Sequence, residues 1–235
     1  MLKIEVLIKF FLKKLAALLP VNFYQRLLAF SIISNEFSSL QKTKIYSKRE
    51  ELWGIALNLV GQKSLSYAEF GVLEGDSIKY FMKYNSNQDS LFIGLDSFIG
   101  LPDDWDSIPS GTLDVEGLIP QIDDKRVAFL KGWFRDSSKI LLKKLRKRKS
   151  SQLIVNYDAD LYSSTLFALT EIDSLKKDYI AIFDEFAGHE SRALYNYIQS
   201  YNAKVTFIGR TLFCHQPWCV LCKIEPHIPV ALKKS

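Results

Sequence analysis

The stretch SYAEFGVLEGDSIKYF, residues 66–81, changes from a strand pattern to a helix pattern within a few positions. Its first part is short and apolar like a buried strand, and its last part has the apolar spacing of a helix. Gly71 and Gly75 stand at the change, where glycine lets the backbone turn tightly and approach a ligand. A helix that begins near Asp76 or Ser77 would offer free N–H groups to the polar end of that ligand. The stretch therefore predicts a strand–turn–helix unit with a binding site at the turn.

The same alternation continues along the chain. Strands are predicted at 66–72, 91–96, 127–132, 153–158 and 179–184, and helical segments separate them. This order is typical of βαβ units, which form a parallel sheet with helices on both faces. Two further strands, 204–209 and 218–225, are joined by only about eight residues, which suits an antiparallel hairpin. We expect an α/β fold with a Rossmann-like, doubly wound sheet of seven strands, mostly parallel, ending in one antiparallel hairpin strand.

The composition of the chain is that of an ordinary globular protein. Its 235 residues suffice for one large α/β domain, and its apolar and charged fractions of 48% and 24% are near average. The net charge of +5 comes largely from the N-terminal segment and the run KKLRKRK at 143–149, so it does not indicate a nucleic-acid partner.

Three cysteines lie close together in CHQPWCVLC, residues 214–222. They do not make the disulfide framework of a secreted protein, which favours a reducing, cytoplasmic location. A zinc site is disfavoured because Cys219 and Cys222 fall in a predicted strand, where residues three apart point to opposite faces. Buried, unpaired cysteines are the better interpretation.

Residues 1–43 precede the alternating region, and we expect a helical appendage there and one α/β domain in 44–235. The start, MLKIEVLIKFFLKKLAALLP, is apolar but interrupted by lysines, so it indicates neither a signal peptide nor a spanning helix. A helix formed by this start would have a wide apolar face that must be buried, and we favour packing on the core domain or on a partner subunit of a homo-oligomer. Contact of residues 1–20 with the inner membrane surface is the alternative.

Acids stand at or near the ends of four of the first five predicted strands, namely Glu69, Asp96, Asp158 and Asp184. Ligands of open α/β sheets bind beyond the carboxyl ends of the strands, where a carboxylate is costly unless it holds a ligand, a metal or a helix N-terminus. Asp96 follows the glycine turn by about 25 residues and could accept both hydroxyl hydrogens of a ribose. The turn lacks the third glycine of pyrophosphate-binding proteins, which disfavours a nicotinamide oxidoreductase. Adenosine is therefore the expected part of the ligand.

Five motifs in this order resemble those of the macrocin O-methyltransferase-like family of class I S-adenosylmethionine-dependent methyltransferases. They are EFGVLEGDS, GLDSFIGLPDDW, LKGWFRDS, NYDADLYSST and IFDEF, and the resemblance covers roughly residues 44–210. It implies the class I methyltransferase fold and methyl transfer from S-adenosylmethionine to a hydroxyl of a sugar or glycosylated metabolite. It also implies a donor site: Glu69, Gly71, Gly75 and Ser77 near the methionine and ribose, Asp96 and Ser97 at the ribose, and Gly132, Trp133 and Phe134 at the adenine. Core packing is the alternative for the two aromatic rings.

The resemblance further implies a Mg²⁺ or similar divalent cation, held by Asp158, Asp184 and Glu185. Adjacent parallel strands lie about 4.8 Å apart, so the first two acids could approach one cation, and oxygen ligands suit Mg²⁺. A bound cation would lower the pKa of the acceptor hydroxyl. The family usually has two aspartates where this chain has Asp184 and Glu185, and helix capping is the alternative role of Glu185.

His189, in the loop FAGHES after the last motif, is our first candidate for the general base, and Asp160 and Tyr162 are its rivals. An ordinary surface histidine is the alternative. Residues 100–126 are long for a connection and rich in proline, glycine and acids, which predicts a lid over the acceptor pocket. A non-catalytic scaffold protein of the same fold, attached to a membrane or partner through its N-terminal helix, is the rival to an enzyme.

Overall fold

The computed structural model describes residue 14 and residues 17–148 and 151–228. Most of the apolar start, residues 1–20, lies outside these residues, so its docking on a domain, a partner or a membrane stays a prediction. Within the described part of the chain, no helix combines the length and the hydropathy that crossing a bilayer needs.

Helices and strands alternate through the described residues. The helices are α1 (Val21–Ser31), α2 (Arg49–Val60), α3 (Asp76–Tyr84), α4 (Phe134–Arg146), α5 (Tyr162–Asp173) and α6 (Ser191–Tyr201), with single π-helical turns at Ile32–Glu36 and Phe186–Glu190 and a 3₁₀ turn at Leu40–Lys42. The strands are β1 (Lys44–Ile45), β2 (Leu65–Phe70), β3 (Leu91–Asp96), β4 (Val127–Lys131), β5 (Gln152–Tyr157), β6 (Tyr179–Phe183), β7 (Lys204–Phe213) and β8 (Gln216–Glu225).

All eight strands belong to one sheet in the order β1-β7-β8-β6-β5-β2-β3-β4. Only β8 runs against its neighbours β6 and β7, and the other described pairs are parallel. This is the predicted doubly wound sheet with one antiparallel hairpin strand. The structure adds β1, a two-residue edge strand that is too short to show any period in the sequence.

The two faces of the sheet follow from the alternation of side chains along its central strands. In β5, Leu153 and Val155 point into one core cluster with α4, α5 and α6, whereas Ile154 points into the other with α2 and α3. Strands buried on both faces are mostly apolar, which is why β2 and β5 are rich in apolar residues, with the buried polar Glu69 and Asn156 near their carboxyl ends.

The segment between α1 and β1 packs against the first of these clusters. The ring of Phe37 lies 5.8 Å from that of Phe186 and 5.2 Å from that of Phe207. The guanidinium of Arg210 in β7 donates hydrogen bonds to the carbonyls of Gln41 and Thr43, at 3.0 and 2.7 Å. The chain that leads into α2 is therefore tied to β7, although the domain boundary at residues 43 and 44 stays a proposal.

Helix α1 itself keeps a large apolar surface in contact with solvent. Leu27, Leu28 and Phe30 are 51%, 51% and 56% exposed. Burial of one such side chain in a contact would contribute roughly 1.5–3 kcal/mol of stabilising free energy.

The register of the central strands brings their carboxyl ends to one level. Phe70, the last residue of β2, pairs with Leu95 on one side and with Tyr157 on the other, and Tyr157 pairs with Phe183. The residues that follow these four strand ends therefore meet at one edge of the sheet.

Candidate active site

A cleft of about 850 Å³ opens at this edge. Seven of the nine predicted donor-binding residues line it: Gly71, Gly75, Ser77, Asp96, Ser97, Trp133 and Phe134. Four predicted metal-binding or catalytic acids also line it: Asp158, Asp160, Asp184 and Glu185. Glu69 and Gly132, predicted at the donor, and His189 and Tyr162, predicted as bases, are not among the residues that line the cleft.

The glycine turn after β2 forms one wall of the cleft. Gly71 has φ +90°, and a Cβ there would lie 1.7 Å from the backbone carbonyl oxygen of Asp158. Gly75 has φ +74° and precedes α3, which begins at Asp76 as expected. The turn therefore needs glycine at Gly71 both for its conformation and for the close approach of β5.

Asp96, at the end of β3, holds this turn in place. One carboxylate oxygen accepts hydrogen bonds from the N–H groups of Val72 and Leu73, at 2.7 and 3.1 Å. The other accepts a bond from the N–H of Phe98 at 2.7 Å. Backbone N–H groups thus stabilise this carboxylate at the mouth of the cleft, and Oδ1, which accepts a single bond, keeps a further lone-pair direction for a ligand hydroxyl.

Glu69 lies behind the turn and is 1% exposed. Its Oε1 accepts hydrogen bonds from the Ser77 hydroxyl and, at 2.8 Å, from the Asn156 amide, whereas its Oε2 has no partner among the described residues. Burial raises the pKa of Glu69 to about 7, although these hydrogen bonds oppose the rise. Glu69 therefore orients Ser77, which does line the cleft.

Two of the residues predicted near the adenine, Phe134 and Gly132, make contacts within the protein. The ring of Phe134 packs edge-on against Phe70 at 5.2 Å, so it belongs to the core as well as to the cleft wall. Gly132 has φ +138° and donates its N–H to the carbonyl of Asp96 at 2.9 Å. It thereby fixes the strand end that carries Asp96.

The other half of the cleft is an acid cluster, formed by Asp158, Asp160, Asp184 and Glu185. Loss of hydration raises the pKa of all four, and repulsion within the cluster adds to the rise at Asp158, Asp160 and Glu185. The pKa of Asp160 rises to about 7 and that of Glu185 to about 8. Asp160 also has φ +57°, in the left-handed region. Such raised pKa values are typical of functional carboxylates.

Glu190 supports the acid cluster from below and was not predicted. It is fully buried, and one of its carboxylate oxygens accepts a hydrogen bond from the backbone N–H of Glu185 at 3.1 Å. Its other oxygen has no partner among the described residues. The side chain of Glu185 makes no cap bond to the following helical turn, so the capping interpretation receives no support.

Arg49, the first residue of α2, contacts the acid cluster and was also missed by the sequence analysis. Its Nη1 lies 2.9 Å from the Oδ2 of Asp184. Burial would lower the pKa of Arg49, but the charges of Asp184 and Asp158 raise it. The acids at the strand ends indicated a cation, which the sequence analysis assigned to Mg²⁺, and nothing in the sequence pointed to a helix that precedes the first central strand.

The predicted metal ligands do not form a three-ligand site. Among the residues that the structure describes, no group of three or more His, Cys, Asp or Glu side chains has the spacing to hold a metal ion. One oxygen of Asp184 is taken by Arg49, and the other is buried without a hydrogen-bond partner. The arrangement of Asp158, Asp184 and Glu185 thus does not fit the predicted Mg²⁺ ion.

His189 has contacts for both ring nitrogens away from the cleft. Its Nδ1 accepts a hydrogen bond from the Tyr162 N–H at 3.1 Å, and its Nε2 lies 3.5 Å from a carboxylate oxygen of Asp106. Burial lowers the pKa of His189, and Asp106 opposes that fall. The Tyr162 hydroxyl accepts a bond from the Asn196 amide at 2.7 Å. Of the three candidate bases, Asp160 is the one that the structure brings into the cleft.

The segment 100–126 borders the cleft, as a lid would. Gly100, Leu101, Trp105 and Leu113 are among its residues that line the cavity. Asp106 joins the segment to Arg26 of α1 at 3.2 Å and faces His189. Trp105 of this segment and Trp53 of α2 also line the cleft, and neither was predicted as a site residue.

None of the three cysteines lines the cleft, although the charges of Asp184 and Asp158 act on the buried Cys219. Cys219 and Cys222 are buried with free thiols in β8, and Cys214 is exposed at the turn.

No model of a known protein family matches the sequence. No curated protein matches it either. Solved structures do share its fold. The O-methyltransferase NovP is 19% identical, with 74% of this chain and 78% of NovP covered, at a TM-score of 0.52. CalS11, a TDP-rhamnose 3'-O-methyltransferase of calicheamicin biosynthesis, is 18% identical over 89% and 90% of the two chains, at 0.47. An O-methyltransferase from Bacillus cereus in complex with SAH is 11% identical over 88% and 93%, at 0.49. At these identities, the match to NovP supports the Rossmann-like methyltransferase fold and nothing finer.

Proposed function

We propose that this chain is an S-adenosylmethionine-dependent O-methyltransferase that acts on a hydroxyl of a sugar or a glycosylated metabolite. The observation that carries the proposal is one cleft that joins the glycine turn and Asp96 to a group of carboxylates with raised pKa values. The first half suits an adenosine, and the second suits removal of a proton from an alcohol. That NovP, which shares the fold, is described as an O-methyltransferase agrees with this proposal.

The donor half would hold S-adenosylmethionine along the glycine turn. Asp96 would accept the ribose hydroxyls, Ser97 would lie beside it, and Trp133 and Phe134 would face the adenine. Ser77, which Glu69 orients, would bind the methionine end. The acids that line the cleft suit this donor because it carries a positive sulfonium and a positive ammonium group.

The acid half would prepare the acceptor. When bound, the donor supplies a methyl group on a sulfonium, and the acceptor oxygen displaces the sulfur in line. Asp160 would accept the proton that the acceptor hydroxyl loses. Its pKa of about 7 suits a base that works near neutral pH. Trp105 would offer an apolar face to a sugar ring.

Assistance by Mg²⁺ stays a prediction from the resemblance and receives no support from the side-chain arrangement. Asp158, Asp184 and Glu185 do not converge as ligands, and Asp184 is paired with Arg49. We therefore assign no step of the reaction to a metal ion.

The rival proposal is a scaffold protein that keeps this fold without chemistry and is attached through its N-terminal segment. The exposed apolar residues of α1 favour some partner, whether a second copy or a membrane. They do not explain buried acids that border a cleft. We also keep the proposals of a cytoplasmic protein and of a small-molecule or glycan acceptor.

Calorimetric titration with S-adenosylhomocysteine and, separately, with NADH tests the proposal. We expect micromolar binding of the first ligand and none of the second. If S-adenosylhomocysteine fails to bind, the enzyme proposal is wrong and the scaffold proposal gains. If NADH binds more tightly, the chain is a nicotinamide-binding protein instead.

A further inference from the structure

The negative charge of the acid cluster must be compensated, either by bound protons or by a cation. Four carboxylates line the same half of the cleft, and the buried Glu190 lies beneath them. Carboxylates that lose water and stand close together repel each other unless a cation is near. In a fold that commonly places acids at strand ends for a ligand, the cation can come from the ligand, from a metal ion or from the protein itself.

Arg49, a residue of the chain itself, provides a positive charge beside the acid cluster. Its Nη1 forms a charge-assisted hydrogen bond of 2.9 Å with the Oδ2 of Asp184. The Asp184 side chain is 9% exposed, whereas that of Arg49 is 43% exposed. The pair is therefore largely removed from water on the acid side, and the guanidinium still faces the cleft.

A contact with Trp53 and the attachment of the preceding segment to β7 hold Arg49 in this position. Its guanidinium lies 5.2 Å from the centre of the Trp53 ring, one helical turn further along α2. The backbone before α2 is paired with β7, where the Tyr46 N–H donates to the Arg210 carbonyl at 2.8 Å. The Arg210 side chain in turn binds the carbonyls of Gln41 and Thr43. The segment that precedes Arg49 is thus fixed to the sheet.

A divalent cation and this guanidinium compete for the same carboxylate. The Oδ2 of Asp184 is occupied, and two like charges on one carboxylate repel each other. The described acids form no three-ligand group around the remaining space.

We propose that Arg49 takes the place of a divalent cation in this site, as a positioning residue whose ion pair holds the Asp184 carboxylate in place. This inference rests on the proposed function, because it assigns a role within the same cleft. Under it, donor binding and methyl transfer do not depend on Mg²⁺ or Mn²⁺.

Thermal melting with and without Mn²⁺ tests the inference without an acceptor. We expect no effect of Mn²⁺ on the melting temperature of the wild type. Arg49→Gln should melt lower in metal-free buffer, and Mn²⁺ should raise its melting temperature because a carboxylate becomes free. Arg135→Gln is the matched control, since Arg135 lines the same cleft but is 78% exposed and lies 3.7 Å from the exposed Asp136. It should behave like the wild type.

The double variant Arg49→Gln/Asp184→Asn keeps the test decisive if the single variant folds poorly. Removal of both charges should recover most of the melting temperature that Arg49→Gln loses, because the unpaired carboxylate disappears. A wild type that Mn²⁺ stabilises overturns the inference. So does an Arg49→Gln variant that melts like the wild type, or a double variant that melts no higher than the single one.

Titration of the same proteins with S-adenosylhomocysteine distinguishes failure of the inference about Arg49 from failure of the methyltransferase proposal. If the wild type binds S-adenosylhomocysteine and Mn²⁺ also stabilises it, the inference about Arg49 fails and the methyltransferase proposal stands. If the wild type does not bind S-adenosylhomocysteine, the methyltransferase proposal fails first.

Discussion

The two halves of the cleft use carboxylates in opposite ways. In the donor half, Asp96 at the end of β3 accepts three backbone hydrogen bonds, one from Phe98 two residues further on and two from Val72 and Leu73 in the turn after the neighbouring strand β2. In the acid half, Asp184 relies on Arg49, which comes from 135 residues earlier in the chain, and keeps one buried oxygen without a partner. The contacts of Asp96 come from strand ends that lie side by side in the sheet, which the order of strands and helices predicts, whereas the contact of Asp184 comes from a helix that precedes the first central strand, which the sequence does not predict.

The largest effect should come from substituting the donor-half glycine. Gly71→Ala places a Cβ 1.7 Å from the Asp158 carbonyl oxygen, so β2 and β5 cannot stay paired at that level. We expect loss of folding, measured as loss of the cooperative melting transition. Gly111→Ala is the control, because Gly111 also has positive φ but no atom within 4 Å of the added Cβ. It should cost only about 1 kcal/mol. Equal damage from both variants would show that conformation alone matters at Gly71.

The next largest effect should appear in the acid half. Asp160→Asn removes the group that accepts the proton, so the methyl-transfer rate should fall at least about 100-fold while donor affinity stays the same. The wild-type rate should rise with pH up to about 7, because Asp160 must lose its proton to act as the base. An accepted sugar substrate and a pH profile of the rate measure both. A pH profile that persists in Asp160→Asn would assign the base elsewhere.

Stability should fall as the pH rises, because of Glu69. Its pKa is about 7 in the folded chain, above the ordinary value of 4.5, so the folded state binds the extra proton between these two values. Glu69 should therefore contribute a decrease of up to about 3 kcal/mol in the free energy of unfolding from pH 4.5 to 7, and Asp160 and Glu185, whose pKa values are also raised, should add to it. Denaturant titrations at several pH values measure this slope.

Glu69→Gln should reduce that slope, and Glu116→Gln, which changes an exposed acid, should leave it unchanged. A wild type whose stability increases over the same pH range would contradict the account of Glu69.

The smallest effect should come from His189. Because its ring nitrogens contact the Tyr162 N–H and Asp106 outside the cleft, His189→Gln should change the methyl-transfer rate by less than about tenfold, well short of the loss that removing a general base causes. Steady-state rates of this variant and of Asp160→Asn, measured side by side, decide between them. A larger loss in His189→Gln than in Asp160→Asn would restore His189 as the base.

Much of the fold could be predicted because its signals are local. The apolar runs, the helical stretches between them and the short final connection predicted the sheet and its hairpin strand, with ends within a few residues of those observed. β7 is the exception, since it runs to Phe213 rather than 209, because its last residues pair with β8 across the turn. β1 has only two residues and shows no hydrophobic period, so the sequence could not predict it.

The site divides in the same way. The position of Gly71, Gly75 and Asp96 at the cleft could be predicted because clefts of this sheet class lie at strand ends, which the sequence marks. Arg49, Trp53 and Glu190 were not found, because only the packing of α2 and of the turn before α6 brings them to the acids. His189 was favoured for its chemistry and its position in the chain, but its contacts depend on Asp106, 83 residues away and in a different loop.

The central claim is that one cleft contains a donor half and an acid half with separable roles. Calorimetric titration of S-adenosylhomocysteine into the wild type, Asp96→Asn and Asp160→Asn tests it most directly. The account predicts micromolar binding by the wild type, at least about tenfold weaker binding by Asp96→Asn and unchanged binding by Asp160→Asn. Equal loss in both variants would mean that the acids and the turn form one ligand site, and undiminished binding by Asp96→Asn would mean that the donor lies elsewhere.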